Sequence, residues 1–445
     1  MDSILNFLSK MVIYIFLIVL SLVITLGNID NGVVLSLLSI IFIFLFVNKI
    51  NIKKFGIFIF VFSLIIKIAG ILFLRVPVIA DYDLMYNASL DVLRGDFSFS
   101  NNVYFSSFGY QIGNVLYQAL VLKVFNSVFV LKALNCIYSS VITLLIYLLG
   151  RKIADDKSAK FISLFYTISL YPIYLNSVLG NQQLSLMLIL LGVYIFLTKK
   201  NSFLNLVFVG ILLALGNIER PEGIIYIASI LIYVFLNKKI CFKTIKVVAL
   251  IFVVYFGVNF MANALVVKTG VSNVGLKNTN PYWKFVTGLN LESSGKYSSS
   301  DQDNYIHSKD LEKEIIVKRL TDLKRLPVLM YRKINVQWLY SDLGDAFNVK
   351  NNTQFSSSII GIIINYIKCM NIFILLVALF GQLKNKMSDI EKFFVINFLL
   401  YFVAYLFIEV NARYYFNPQI CILLLSVVGL KKLFDFYENK VVRHK

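Results

Sequence analysis

Metal and disulfide chemistry have little to work with in this sequence. Its 445 residues include only two histidines and four cysteines. The cysteines (Cys136, Cys241, Cys369 and Cys421) are far apart and lie in or beside apolar runs. That excludes a disulfide framework and zinc-finger spacing, and two histidines leave no basis for a His-based metal site. Charge is sparse as well: 15% of residues are charged against 58% hydrophobic. Soluble domains carry about 25% charged residues, so an ordinary soluble domain is excluded. No tandem or solenoid repeat is present. The formal charge of +19 invites a nucleic-acid reading. The basic residues are scattered through loops between apolar runs and not gathered on one face, so no nucleic-acid partner is expected.

Long apolar runs are abundant. A helix needs about 20 apolar residues to cross a hydrocarbon core of about 30 Å. Such runs recur at 11–27, 33–47, 55–74, 128–150, 161–179, 184–198, 203–217, 223–236, 245–267, 357–380, 393–410 and 418–434. The expected fold is therefore all-α and polytopic, with about twelve transmembrane helices. Run 11–27 reads as a retained span, since no small-residue cleavage site follows it.

Lysines set the expected topology. "NKINIKK" (48–54), "RKIADDKSAK" (151–160), "TKKNS" (198–202), "NKKICFKTIK" (237–246), "GQLKNKMSDIEK" (381–392) and the tail from 431 each carry two or more Lys or Arg. "GNIDNG" (27–32) and "GNQQ" (180–183) carry none. The asymmetry places both termini in the cytoplasm. The count closes if "GYQIGNVLYQALVLKVF" (109–125), which contains Gln111, Asn114, Gln118 and Lys123, lies in the outer interface as an amphipathic helix. Two segments then face outward, 75–127 and the polar stretch 268–356. In the latter, Ile315, Ile316, Leu320 and Leu323 mark one helical face, which Pro327 is expected to end or kink. Lys67 and Lys368 lie deep in spans and are expected to face the bundle.

Sorted by side, the remaining polar groups gather on the outer level. Asp81 and Asp83 in "VIADYD" follow span 55–74. Glu219, Arg220 and Glu222 in "NIERPEG" follow span 203–217. Glu409, Arg413 and Tyr414 in "EVNARYYFNP" join the last two spans, and Lys132 opens span 128–150. Charges at that depth are costly unless they pair or line a cavity. Arginine and lysine suit a lipid phosphate. A carboxylate suits a general base for an incoming hydroxyl. Bland readings stand beside these: a helix cap for the aspartates, an ion pair of Arg220 with Glu219 or Glu222, and an aromatic-belt anchor for Arg413.

At these residues the sequence resembles the GT-C glycosyltransferases, specifically the bacterial relatives of protein O-mannosyltransferases (glycosyltransferase family 39) and of the lipid A aminoarabinose transferase. The resemblance runs from about residue 55 onward and rests on the order of "ADYD", "SSFGYQIGNVLYQAL", Lys132, "RPEG" and "ARYYFNP". Each motif alone is weak. It implies a core at 55–267 with a first outer loop at 75–127, an outer subdomain at 268–356, and C-terminal spans with a cytoplasmic tail at 357–445. Residues 1–54 would add two spans in front of that core.

The resemblance also implies a reaction. A sugar passes, with inversion, from a polyprenyl-phosphate donor to an acceptor hydroxyl on a glycan, lipid or protein, outside a bacterial cytoplasmic membrane. Asp81 or Asp83 would be the base, with Asp81 favoured as first after the span. Arg220 and Arg413 would bind the donor phosphate, with Lys132 a weaker third where relatives carry Arg. Tyr82, Glu219, Glu222, Glu409 and Tyr414 are further candidates for substrate contact. The resemblance fixes no cofactor; a divalent cation on Asp81 and Asp83 stays open. A lipid-linked oligosaccharide polymerase or ligase, and a lipid or glycan flippase, are the competing readings.

Overall fold

The computed structural model describes residues 31–237, 241–306, 308–339, 357–383 and 386–443. Expectations for span 11–27 fall outside these residues. Among the described residues helices dominate and no strand forms; Phe108 and Asn278 make one isolated antiparallel bridge. Six helices are long and apolar enough to cross a membrane: Asn31–Lys49, Phe55–Leu74, Val128–Ile153, Thr244–Lys268, Ser358–Gln382 and Asp389–Phe407. Three shorter apolar helices, Gln182–Thr198, Phe203–Glu219 and Gly223–Asn237, add to them. The chain is thus a multi-pass membrane protein.

In chain order the main helices are α1 (Asn31–Lys49), α2 (Phe55–Leu74), α3 (Asp81–Arg94), α4 (Ile112–Val124), α5 (Val128–Ile153), α6 (Asp156–Ile168), α7 (Leu170–Ser177), α8 (Gln182–Thr198) and α9 (Phe203–Glu219). They continue with α10 (Gly223–Asn237), α11 (Phe242–Lys268), α12 (Trp283–Gly288), α13 (Ser299–Tyr305), α14 (Lys309–Thr321), α15 (Arg325–Ile334), α16 (Ser357–Gln382), α17 (Asp389–Phe407) and α18 (Phe416–Arg443). The chain divides into two compact units. One comprises 1–50, 153–162 and 280–445; the other comprises 51–152 and 163–279.

In the second unit α8 packs on α9 and α9 on α11, while α3 lies on α4. The polarity is inverted relative to a soluble protein. Val253 and Phe260 on α11 are 71% and 72% exposed, while Lys67 on α2 is completely buried. Its ammonium donates to Ser139 O at 2.7 Å and Thr143 Oγ1 at 2.8 Å, and sits over the Tyr166 ring. Lipid solvates the apolar side chains, so the polar ones turn inward to find partners. In the first unit α16 packs against both α1 and α18, and α17 against α18. A capping box on Ser388 and Glu391 starts α17, satisfying two backbone donors at its N-terminus.

Three local expectations are corrected. The run 161–179 is not one helix: α6 ends at Ile168, Ser169 adopts extended dihedrals, and α7 begins at Leu170. Pro327 ends nothing, because α14 stops at Thr321 and Pro327 is the third residue of α15. A first-turn N–H has no intrahelical partner, so proline is tolerated there. On α14, Ile315, Ile316 and Leu320 are only half-buried; the fully buried side chain is Glu312.

Candidate functional site

The aspartates open α3. Ala80, the residue before it, holds φ 52° and ψ −132°. A non-glycine residue there stores about 1–3 kcal/mol of backbone strain. The segment that follows is helical, with Asp83 N and Leu84 N both donating to Ala80 O. The extended alternative for 81–83 is therefore replaced by a first helical turn. Residues two apart on a helix are about 200° apart, so the two carboxylates still point to different sides. Both are half-buried and both sit at the positive end of the helix dipole, which favours their charge. Asp83 accepts from Asn87 Nδ2 at 3.1 Å. Between them Tyr82 is buried with Met85 and Ala88, and its hydroxyl accepts from Gln182 Nε2 at 3.4 Å.

Gln182 and its neighbour Asn181 stand at the start of α8, in the "GNQQ" turn. Leu179 just before it has φ 60°, a second strained non-glycine position. Asn181 is a hub. It donates from Nδ2 to Gln111 Oε1 at 3.2 Å and to Glu219 O at 3.1 Å, and its Oδ1 accepts from Arg220 Nη1 at 3.3 Å. Arg220 also pairs through Nε with Glu222, and both residues are buried. Glu219 accepts from Asn114 Nδ2 at 3.0 Å, and Gln118 Nε2 in turn donates to Asn114 Oδ1 at 2.8 Å. Tyr82 and Arg220 are thus joined through the adjacent residues Gln182 and Asn181. Lys132 donates to Val76 O at 2.8 Å, just ahead of the aspartate turn.

These contacts show which way the polar face of the 109–125 helix turns, which its spacing alone left open. On α4 and its entry Gln111, Asn114 and Gln118 are buried, whereas Leu120, Val124 and Phe125 are 61–69% exposed. The polar stripe faces the protein and the apolar stripe faces outward. Gly113 permits this: a Cβ there would overlap the carbonyl of Ile218, so only glycine lets α4 approach the end of α9 closely enough for Asn114 to reach Glu219. Gln111, Asn114, Asn181 and Gln182 were not singled out as site residues. The signal was present in "GNQQ", three polar residues after a glycine between apolar runs, and in the 111, 114, 118 spacing of one helix face.

Glu409, Arg413 and Tyr414 belong to the first unit. Glu409 accepts from Lys284 Nζ at 2.5 Å and from Tyr414 OH at 3.1 Å, and Lys284 also donates to the Tyr414 hydroxyl and lies over its ring. Glu409 thus holds Lys284, a residue of the polar segment 268–356. Arg413 is half-buried at the start of a 3-10 turn, Ala412–Tyr415, its N–H donating to Asn411 Oδ1 at 3.1 Å. Nearby Lys333 is 1% exposed. Burial pushes its pKa down to about 7 while the Glu409 carboxylate pulls it up. Among the described residues no three His, Cys, Asp or Glu side chains cluster as a metal set.

Residues 115–261 match the family model described as dolichyl-phosphate-mannose-protein mannosyltransferase. The match covers Lys132, the "GNQQ" turn and the Glu219–Glu222 cluster. Among solved structures the chain is similar to the archaeal oligosaccharyltransferase AglB from Archaeoglobus fulgidus in complex with an inhibitory peptide and a dolichol-phosphate. That similarity has 15% identity and a TM-score of 0.47, over 88% of this chain and 52% of the other. The chain therefore spans about half the length of that protein. No curated protein matches the sequence.

Proposed function

We propose that this protein transfers a sugar from a polyprenyl-phosphate donor to an acceptor hydroxyl on the outer side of a bacterial cytoplasmic membrane, with inversion. The observation that carries the reading is the Asp81–Asp83 turn, joined through Tyr82, Gln182 and Asn181 to the buried Arg220. It lies in the unit that also contains the mannosyltransferase match. The acceptor oxygen attacks the anomeric carbon as the bond from that carbon to the phosphate oxygen breaks. The hydroxyl proton passes to Asp81 or Asp83. The departing polyprenyl phosphate takes up negative charge, which Arg220 meets; Arg413 is a second candidate cation for phosphate. Lys132 is weaker in that role, since it already holds Val76 O and a point charge makes no bidentate contact. A topology of twelve spans with both termini in the cytoplasm, and an outer subdomain at 268–356 that meets the acceptor, completes the proposal.

The test is sugar transfer by the purified full chain with Asp81→Asn, Asp83→Asn and the pair. Loss of transfer in one single variant, with undecaprenyl phosphate still bound, identifies the base. Full transfer by the double variant overturns the assignment.

A further inference from the structure

Lys333 plays no part in the chemistry above, yet it is among the most completely buried charged side chains in the first unit. Its ammonium donates to three backbone carbonyls: Gly288 O at 2.8 Å, Leu406 O at 2.8 Å and Ile408 O at 2.7 Å. Gly288 is the last residue of α12, and Leu406 lies in the last turn of α17. The terminal carbonyls of a helix have no intrahelical partners and its C-terminus carries partial negative charge. One ammonium thus caps two helix ends at once and ties them together.

The chain after α17 is stitched to the outer segment on both sides of that knot. Glu409 N donates to Lys284 O at 2.8 Å, and Val410 N to Gly295 O at 2.7 Å. Gln337 bonds both the N–H and the carbonyl of Asn411, each at 3.2 Å. Glycines leave room for it. A Cβ on Gly288 would overlap the backbone of Phe407 and Ile408, and one on Gly295 would press on the Lys333 stem. Two residues beyond Asn411 comes Arg413, whose N–H is held by the Asn411 side chain.

We propose that Lys333 is a positioning residue: it locks residues 406–411 onto the outer segment and so sets where Arg413 presents its guanidinium to a polyprenyl phosphate. The inference rests on the reading of Arg413 as a phosphate-binding cation. It adds that the segment carrying Lys333, remote in sequence, fixes the backbone leading to Arg413 through a single ammonium.

The test uses the full chain in nanodiscs, with undecaprenyl phosphate as the probe and Lys333→Met, Gly288→Ala, Arg413→Ala and Lys333→Met/Arg413→Ala as variants. Gly288→Ala displaces the backbone that accepts from Lys333 while keeping the lysine side chain, so it carries the test if Lys333→Met fails to fold. Amide exchange at Glu409 and Val410 is expected to accelerate in both single variants. Affinity is expected to fall about ten- to hundredfold in Lys333→Met, as on removing one hydrogen-bonded charge. The double variant is expected to bind no more weakly than Arg413→Ala alone, since residues acting through one another are not additive. Unchanged exchange, or losses that multiply in the double variant, overturns the inference while leaving the phosphate reading in place. Wild-type protein that does not bind undecaprenyl phosphate removes the phosphate reading itself, and this inference with it.

Discussion

The buried pair of Arg220 and Glu222 separates a structural from a functional role. Their side chains are 10% and 11% exposed, so neither is well solvated. Replacing Glu222 by Gln leaves a buried guanidinium without its carboxylate, which costs about 3–5 kcal/mol. At 1.4 kcal/mol per decade that is roughly two to four powers of ten in the folding equilibrium. Replacing both residues by apolar ones, Arg220→Met with Glu222→Leu, removes both desolvation penalties, and stability is expected to return to within about 1 kcal/mol of wild type or better. Unfolding by SDS in mixed micelles reads the free energies, and transfer from polyprenyl-phosphate sugars reads function. If Arg220 serves only to neutralise Glu222, the double variant regains transfer along with stability. If Arg220 meets the donor phosphate, the double variant is stable and inactive. A double variant as active as wild type refutes the phosphate role. A Glu222→Gln chain within 1 kcal/mol of wild type refutes the buried-pair argument itself.

Two further predictions concern packing and pH. Gly113→Ala places a Cβ onto the Ile218 carbonyl; overpacking of this kind costs about 1–3 kcal/mol, and loss of the Asn114–Glu219 bond adds to it. Asn114→Leu, which loses the bonds to Glu219 and from Gln118 but adds no overlap with the Ile218 backbone, should be the milder variant in the same unfolding assay, and the reverse order would contradict the geometry. Glu312 on α14 is fully buried, and the Asn280 side chain and the Lys309 charge only partly offset the cost of burying its carboxylate. Burial raises its pKa, so the folded form keeps its proton to a higher pH than the unfolded chain does. Stability then falls as pH rises from the ordinary carboxylate range through the raised value, and stays reduced above it. Glu312→Gln should match wild type in acid and exceed it by about 1–3 kcal/mol at neutral pH; an equal difference at both pH values would contradict this.

Much of the architecture was legible because membrane helices report themselves locally. A run such as 55–74 is apolar along its own length, and lipid demands nothing more of it than internal hydrogen bonding. The resemblance was legible in the order of "ADYD", "RPEG" and "ARYYFNP", and the mannosyltransferase match over 115–261 agrees with it. The failures share a cause. The spacing of Gln111, Asn114 and Gln118 showed a polar stripe but not what the stripe faces. In water a polar stripe turns outward; next to lipid it turned inward, onto Asn181 and Glu219. Pro327 was read as a stop because its tolerance depends on where in a helix it falls, which is set by where α15 begins.

By itself the sequence determined that this is a multi-pass helical membrane protein and which of its charges stand beside the apolar runs. Those are properties of single segments and their order. Only the tertiary structure decided that Glu222 pairs with Arg220, that Asn181 and Gln182 join that arginine to Tyr82, and that Lys333 ties the 406–411 backbone to Gly288. A hydrogen bond belongs to two groups at once. Its second member lies tens or hundreds of residues away, and only packing, with glycine where backbones must touch, brings the two within reach.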